Sequence, residues 1–162
     1  MLAQQQLSLP LSAHVREPFA QALGDAQQVA ASAMAAVIMQ GGAACLVGPL
    51  GSGKRWLLRE ALRYAGQQKR SALMLTAAEP AEHFEGVSVL MLESLENWLG
   101  NPQSEHALFE LANRVQDRTL TLITGSLLSP GDLPWSLPDL RSRLSQWPRL
   151  PLAAFDDDTL CQ

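Results

Sequence analysis

Gly48-Pro49-Leu50-Gly51-Ser52-Gly53-Lys54-Arg55 is the stretch that decides how this chain is read. Its spacing, G-x-x-x-x-G-K, is that of a phosphate-binding loop. An apolar run, Ala43 to Val47, precedes it, and a helical stretch, Trp56 to Tyr64, follows. Strand, loop and helix in that order are the setting the motif requires. Glycines let backbone N–H groups turn toward a phosphate, and the start of the helix adds positive potential. Lys54 is placed to reach the terminal phosphates. The next position ordinarily supplies a Ser or Thr whose hydroxyl holds Mg²⁺. Here it is Arg55, which ligates no metal. Gly48, Pro49, Leu50, Gly51, Ser52, Gly53, Lys54, Arg55 and Trp56 therefore read as a nucleotide-binding set poorly equipped for hydrolysis. A Gly-rich turn without a ligand is the alternative.

Outward from the loop, helical and strand patterns alternate. Asp25 reads as the N-cap of a helix from Ala26 to about Gln40, stopped by Gly41-Gly42. Ala43 to Val47 is a buried strand. Trp56, Leu57, Leu58, Ala61, Leu62 and Ala65 lie on one helical face, which Gly66 closes. Ser71 to Thr76 is a second strand, Val87 to Leu92 a third and Thr119 to Thr124 a fourth, ending at Gly125. The segment Ala77 to Glu85 reads as irregular. Pro102 and Ser104 open another helix. Asp139 to Leu144 is a short helix, and Leu150 to Phe155 a fifth strand. Continuous apolar strands separated by helices predict a parallel sheet covered on both faces, a three-layer α/β/α domain. Ligands of such sheets bind at the carboxyl ends of the strands, where the loop falls. Residues 1–18, with Pro10 and Pro18 and no helical period, read as an extended tail. Residues 19–162 read as one nucleotide-binding domain.

The chain has 162 residues, enough for one domain with a real core. A net charge of −4 argues against a broad nucleic-acid-binding face and leaves a small local basic patch open; no direct sequence-specific DNA binding is expected. Cys45 and Cys161 have neither disulfide nor metal spacing, the pattern of a reduced cytoplasm. His14, His83 and His106 share no ligand spacing and read as ordinary histidines. Asp156-Asp157-Asp158 reads as a solvated turn. The start of the chain has no basic region followed by an apolar core, and no apolar run is long enough to span a bilayer. The expectation is a cytoplasmic protein with no membrane partner.

Glu93 directly follows the third strand, where nucleotide-hydrolysing loops place an acid for the metal. Ser94 stands where a second acid often activates water, and a hydroxyl is no general base at neutral pH. Glu93 reads as a degenerate metal-site acid, with surface acids opening a turn, Glu93 and Glu96, as the other account. No metal site is expected with firmness.

Several segments occur in a telling order. Arg16-Glu17-Pro18-Phe19 and Gly24-Asp25-Ala26 precede the loop. Leu92-Glu93-Ser94-Leu95, then Ala107 to Arg114, Leu122-Ile123-Thr124-Gly125 and Leu137-Pro138-Asp139-Leu140-Arg141-Ser142-Arg143-Leu144 follow it. This order resembles the AAA+ region of DnaA, and most closely the DnaA regulatory inactivator (Hda, HdaA-type) family, over nearly the whole chain. The resemblance implies an AAA+ P-loop NTPase fold with a five-stranded parallel sheet. It leaves the family's helical lid and DnaA's DNA-binding domain absent.

Gln6-Leu7-Ser8-Leu9-Pro10 resembles the peptide by which these inactivators dock on the DNA polymerase III sliding clamp. A glutamine amide suits a pocket rim, leucines fill an apolar slot, and an extended segment loses little entropy on binding. A polar tail with no partner is the alternative. The resemblance further implies stimulation of the hydrolysis of DnaA-bound ATP, which restrains replication initiation. Arg143 would be the arginine finger, offered in trans. Thr124 and Ser126 fall in the sensor region. Phe19 matches the adenine pocket, although core packing explains it equally well. The implied cofactor is ADP or ATP, with no firm place for Mg²⁺. The implied partners are the clamp and DnaA, and self-association stays open. The alternatives are a P-loop ATPase or kinase with its own turnover, and a non-catalytic DnaA-like adaptor whose Arg55 fills the phosphate site.

Overall fold

The computed structural model describes residues 24–154. The proposed clamp peptide Gln6–Pro10, Phe19, His14, Asp156–Asp158 and Cys161 lie outside the described residues. Five strands form one sheet: β1 (Ala43–Val47), β2 (Ala72–Leu75), β3 (Val89–Leu92), β4 (Thr121–Ser126) and β5 (Arg149–Pro151). Their order is β2-β3-β4-β1-β5, and every pairing is parallel. Among the described residues, four α-helices accompany them: α1 (Asp25–Gln40), α2 (Lys54–Gln67), α3 (Pro102–Gln116) and α4 (Pro138–Leu144).

The apolar runs are continuous because both sheet faces are covered. Successive residues of a strand point to opposite faces. Val89 and Met91 of β3 thus pack with Leu57 and Leu58 of α2 and Met34 and Ile38 of α1. Leu90 and Leu92 pack on the other side with Leu108 and Leu111 of α3 and with Trp98 and Trp135. The result is the expected three-layer α/β/α arrangement around a five-stranded parallel sheet.

Some boundaries differ from the sequence reading. Helix α1 begins at Asp25 itself, with Gly24 as an N-cap lacking a side-chain bond. Asp25 instead meets the helix dipole in the first turn. Gly66 lies inside α2, which runs to Gln67. Strand β3 starts at Val89, two residues later than expected, and a 3₁₀ turn, Ala81–Phe84, occupies part of the segment read as irregular. Helix α3 is capped by Asn101, whose side chain accepts from the N–H groups of Gln103 (2.8 Å) and Ser104 (3.4 Å). Strand β4 runs through Gly125 to Ser126. A Cβ at Gly125 would stand 2.7 Å from the carbonyl oxygen of Glu93, so this glycine marks a close approach of two strand ends rather than a strand stop. Strand β5 begins at Arg149, one residue earlier than expected, and ends at Pro151.

Candidate nucleotide cleft

The loop leaves the carboxyl end of β1 and runs directly into α2. Gly48 donates to Ser126 O at 3.1 Å, tying the loop to the end of β4, and Gly51 and Gly53 turn the chain with φ of 81° and 89°. Gly48 is held against the segment after β5. A Cβ there would lie 2.7 Å from Leu152 O and 2.9 Å from Ser52 Oγ. Gln27 of α1 ties the same two segments together. Its buried amide donates to Ser52 O and Ala153 O, both at 3.3 Å. The Ser52 hydroxyl is buried with no hydrogen-bond partner.

A cleft of about 600 Å³ opens beside this loop. Lys54, Arg55, Trp56, Glu93, Glu96 and Ser126 are among its walls. Lys54 Nζ donates back to Gly48 O and, at 3.0 Å, to Pro49 O. A phosphate entering the loop would draw this ammonium away from the two carbonyls. Burial lowers the Lys54 pKa, and the nearby Glu96 carboxylate and the Cys45 thiol oppose that effect. Arg55 Nε donates to Glu93 Oε1. The residue in place of the metal-binding hydroxyl therefore pairs with the acid that would hold the metal.

Glu96 is the acid that the sequence reading left as a surface residue. Its Oε1 accepts from Ser94 Oγ at 2.9 Å. Its Oε2 accepts from Leu127 N at 2.8 Å and Ser126 Oγ at 3.2 Å. It thereby joins the turn after β3 to the end of β4. Nothing in its local sequence signals this, because the partners are 30 and 31 residues away. Gln27 did carry a signal: with Ala30, Ala31, Met34 and Ile38 it repeats at helical spacing on the buried face of α1.

The proposed sensor residues separate. Ser126 lines the cleft. Thr124 is fully buried in β4. It lies across from Cys45 on β1. Burial pushes the Cys45 thiol pKa up to about 12, against a smaller lowering by Thr124. His83 and His106 are surface residues 3.2 Å from Glu79 and Glu110.

The residues of the cleft suit a phosphate but not a divalent cation. The position of the metal-binding hydroxyl is Arg55, Glu93 is paired with it, and Glu96 already accepts three donors. Among the described residues no cluster of three or more His, Cys, Asp or Glu could hold a metal.

Arg143 lies elsewhere. Asn113 stands in the last turn of α3, which delivers the chain to the amino end of β4, and α4 leads to the amino end of β5. There Arg143 Nη1 donates to Asn113 Oδ1, and the guanidinium sits over the Phe109 ring, 5.4 Å from its centroid. Arg143 therefore lies toward the sheet edge opposite its own loop. In the first turn of α3, Glu105 is fully buried and accepts from Ser136 N at 2.8 Å, Leu137 N at 3.1 Å and Gly100 N at 3.3 Å. It pins the approach to α4.

Sheet order, loop position and layers give this domain an AAA+-type P-loop NTPase fold. Domain III of the replication initiation protein DnaA from Thermotoga maritima has this fold. It is 19% identical with a TM-score of 0.73, and the match covers 90% of this chain and 69% of that one. AMPPCP-bound DnaA from Aquifex aeolicus is 17% identical with a TM-score of 0.72, over 85% of this chain and 50% of that one. No model of a known protein family matches. An uncharacterized protein of Haemophilus influenzae is 34% identical over 107 residues, 60% of this chain. The match spans 46% of that relative, about half its length. No described helix is long and apolar enough to cross a membrane.

Proposed function

We propose that this protein is a cytoplasmic regulator of chromosomal replication initiation, acting as the DnaA regulatory inactivators (Hda) do. Residues 19–162 form its nucleotide-binding domain and hold ADP or ATP in the cleft beside Lys54. The tail, residues 1–18, docks on the DNA polymerase III sliding clamp through Gln6-Leu7-Ser8-Leu9-Pro10. Arg143 is presented to ATP bound by DnaA and promotes its hydrolysis, which restrains initiation.

The observation that carries this reading is the placement of Arg143. It lies toward the sheet edge opposite its own loop, so it serves a neighbour's nucleotide rather than its own. Its partners, Asn113 and Phe109, are uncharged, so its positive charge is not cancelled. Withdrawing it costs one hydrogen bond to an amide and one cation–π contact, together about 1–2 kcal/mol. An arginine finger contributes about 10³–10⁵ in rate, equal to about 4–7 kcal/mol. The gain exceeds the cost.

A second reading, a non-catalytic DnaA-like adaptor, is favoured by Lys54, which caps the carbonyls of its own loop. Intrinsic turnover is disfavoured by the Arg55–Glu93 pair and by Ser94. The deciding experiment measures phosphate release from ATP-bound DnaA mixed with this chain and clamp-loaded DNA. Release should need all components and should fall to background when Gln6 and Leu7 are both replaced by Ala. Release that is unchanged when this chain is omitted would exclude the proposal. Stable assembly with no release would favour the adaptor.

A further inference from the structure

The cleft contains two cations, Lys54 and Arg55, and two carboxylates, Glu93 and Glu96. Their charges sum to zero before any ligand enters. Neither acid is available as it would be in a metal-dependent site. Glu96 is held by Ser94, Ser126 and the Leu127 N–H, and these bonds fix the floor of the cleft. Glu93, only 15% exposed at the end of β3, receives the Arg55 guanidinium. Arg55 is itself 64% exposed and lines the same cleft as the loop glycines. An ion pair so open to water contributes little. Turning the guanidinium from Glu93 onto an incoming phosphate exchanges one anion for a better one, because a diphosphate offers several oxygens to a planar fork of donors.

We propose that Arg55 is the built-in cation of this cleft. It occupies the electrostatic place of the divalent metal, and the site takes a nucleoside diphosphate free of metal. This rests on the nucleotide-binding part of the function proposed above and is independent of the clamp and of DnaA. The position after the loop lysine decides the matter. Arg supplies a positive charge at the end of a side chain that reaches the acid. Ser would supply a hydroxyl and release Glu93, giving the pair of oxygen ligands that a hard divalent cation uses.

The test is calorimetric titration of the full chain with ADP, in Mg²⁺ and in excess EDTA, with thermal melting to monitor the fold. Wild-type affinity is expected to differ by less than about threefold between the two conditions. Arg55→Ser should bind ADP about tenfold more tightly in Mg²⁺ than in EDTA. Glu93→Gln leaves the loop untouched and frees the guanidinium. It should tighten ADP binding in EDTA by about threefold or more, since one negative charge leaves the neighbourhood of the phosphates. A tenfold loss of wild-type affinity in EDTA overturns the inference, as does an Arg55→Ser variant still indifferent to Mg²⁺. Unchanged or weaker binding by Glu93→Gln also overturns it. If the wild type binds no ADP in either condition, the nucleotide reading itself fails and this inference fails with it. Weakening of ADP binding by about tenfold or more in Lys54→Ala, with wild-type binding intact, confirms that the titration reports the loop.

Discussion

The two edges of the sheet treat their arginines in opposite ways. At the carboxyl edge, Arg55 is neutralised by Glu93 within its own domain. Toward the amino edge, Arg143 is held by an amide oxygen and an aromatic face. A carboxylate cancels charge, whereas Asn113 and Phe109 only orient it. The carboxyl edge is therefore electrostatically closed on itself, and the α3–α4 corner carries a positive charge that Asn113 and Phe109 do not cancel. Burial follows the same division. Arg143 is half-buried between its two partners, while Arg55 is 64% exposed. An arginine that must meet a transition state gains from being held in place beforehand, because less side-chain freedom is lost on docking.

That contrast is broken most severely at Arg143. Arg143→Ala should lower stimulated hydrolysis by about 10³-fold or more while clamp binding is unchanged. Arg143→Lys should not restore it, because an ammonium lacks the planar fork. Phosphate release and clamp pull-down on the same preparations read both. Next in size is Glu105, which holds the approach to α4. Glu105→Ala removes the acceptor of the Gly100, Ser136 and Leu137 N–H groups and should cost about 1–3 kcal/mol in urea unfolding. The Arg143 function should fall with it.

Lys54→Ala acts only at the carboxyl edge. It should weaken ADP by about 1.5–3 kcal/mol, about tenfold to a hundredfold, and leave DnaA stimulation largely intact. The smallest effect is a dependence on pH. The unfolded Cys45 thiol ionises near its ordinary value of 9.0, while the folded one resists until about 12. Its contribution to stability is complete below pH 9 and declines as pH rises toward 12. Cys45→Ala should remove that alkaline decline in the urea midpoint. At neutral pH the thiol should react with iodoacetamide only after unfolding.

Legibility followed the range of the interactions. The loop, its flanking strand and helix, and the doubly covered sheet rest on periodicity and on glycine spacing, and they were read correctly apart from boundaries. Gly66 and Gly125 were mistaken for stops; Gly66 falls one residue inside the end of α2, and the role of Gly125 depends on a neighbour in space. Gly125 is needed where Glu93 O approaches, 32 positions away in the chain. Glu96, an unremarkable acid in a short turn, became a structural tie only when the end of β4 was brought beside it. Glu105 drew no reading from the sequence and is fully buried.

The sequence by itself determined that this protein is an α/β domain with a phosphate loop whose metal-binding hydroxyl is replaced by an arginine. Local backbone preference and the alternation of apolar residues suffice for that. Only the tertiary structure decided where each charge is spent. Whether Arg55, Glu93, Glu96 or Arg143 meets an opposite charge, an amide or solvent depends on contacts across 30 or more residues, which chain order does not encode.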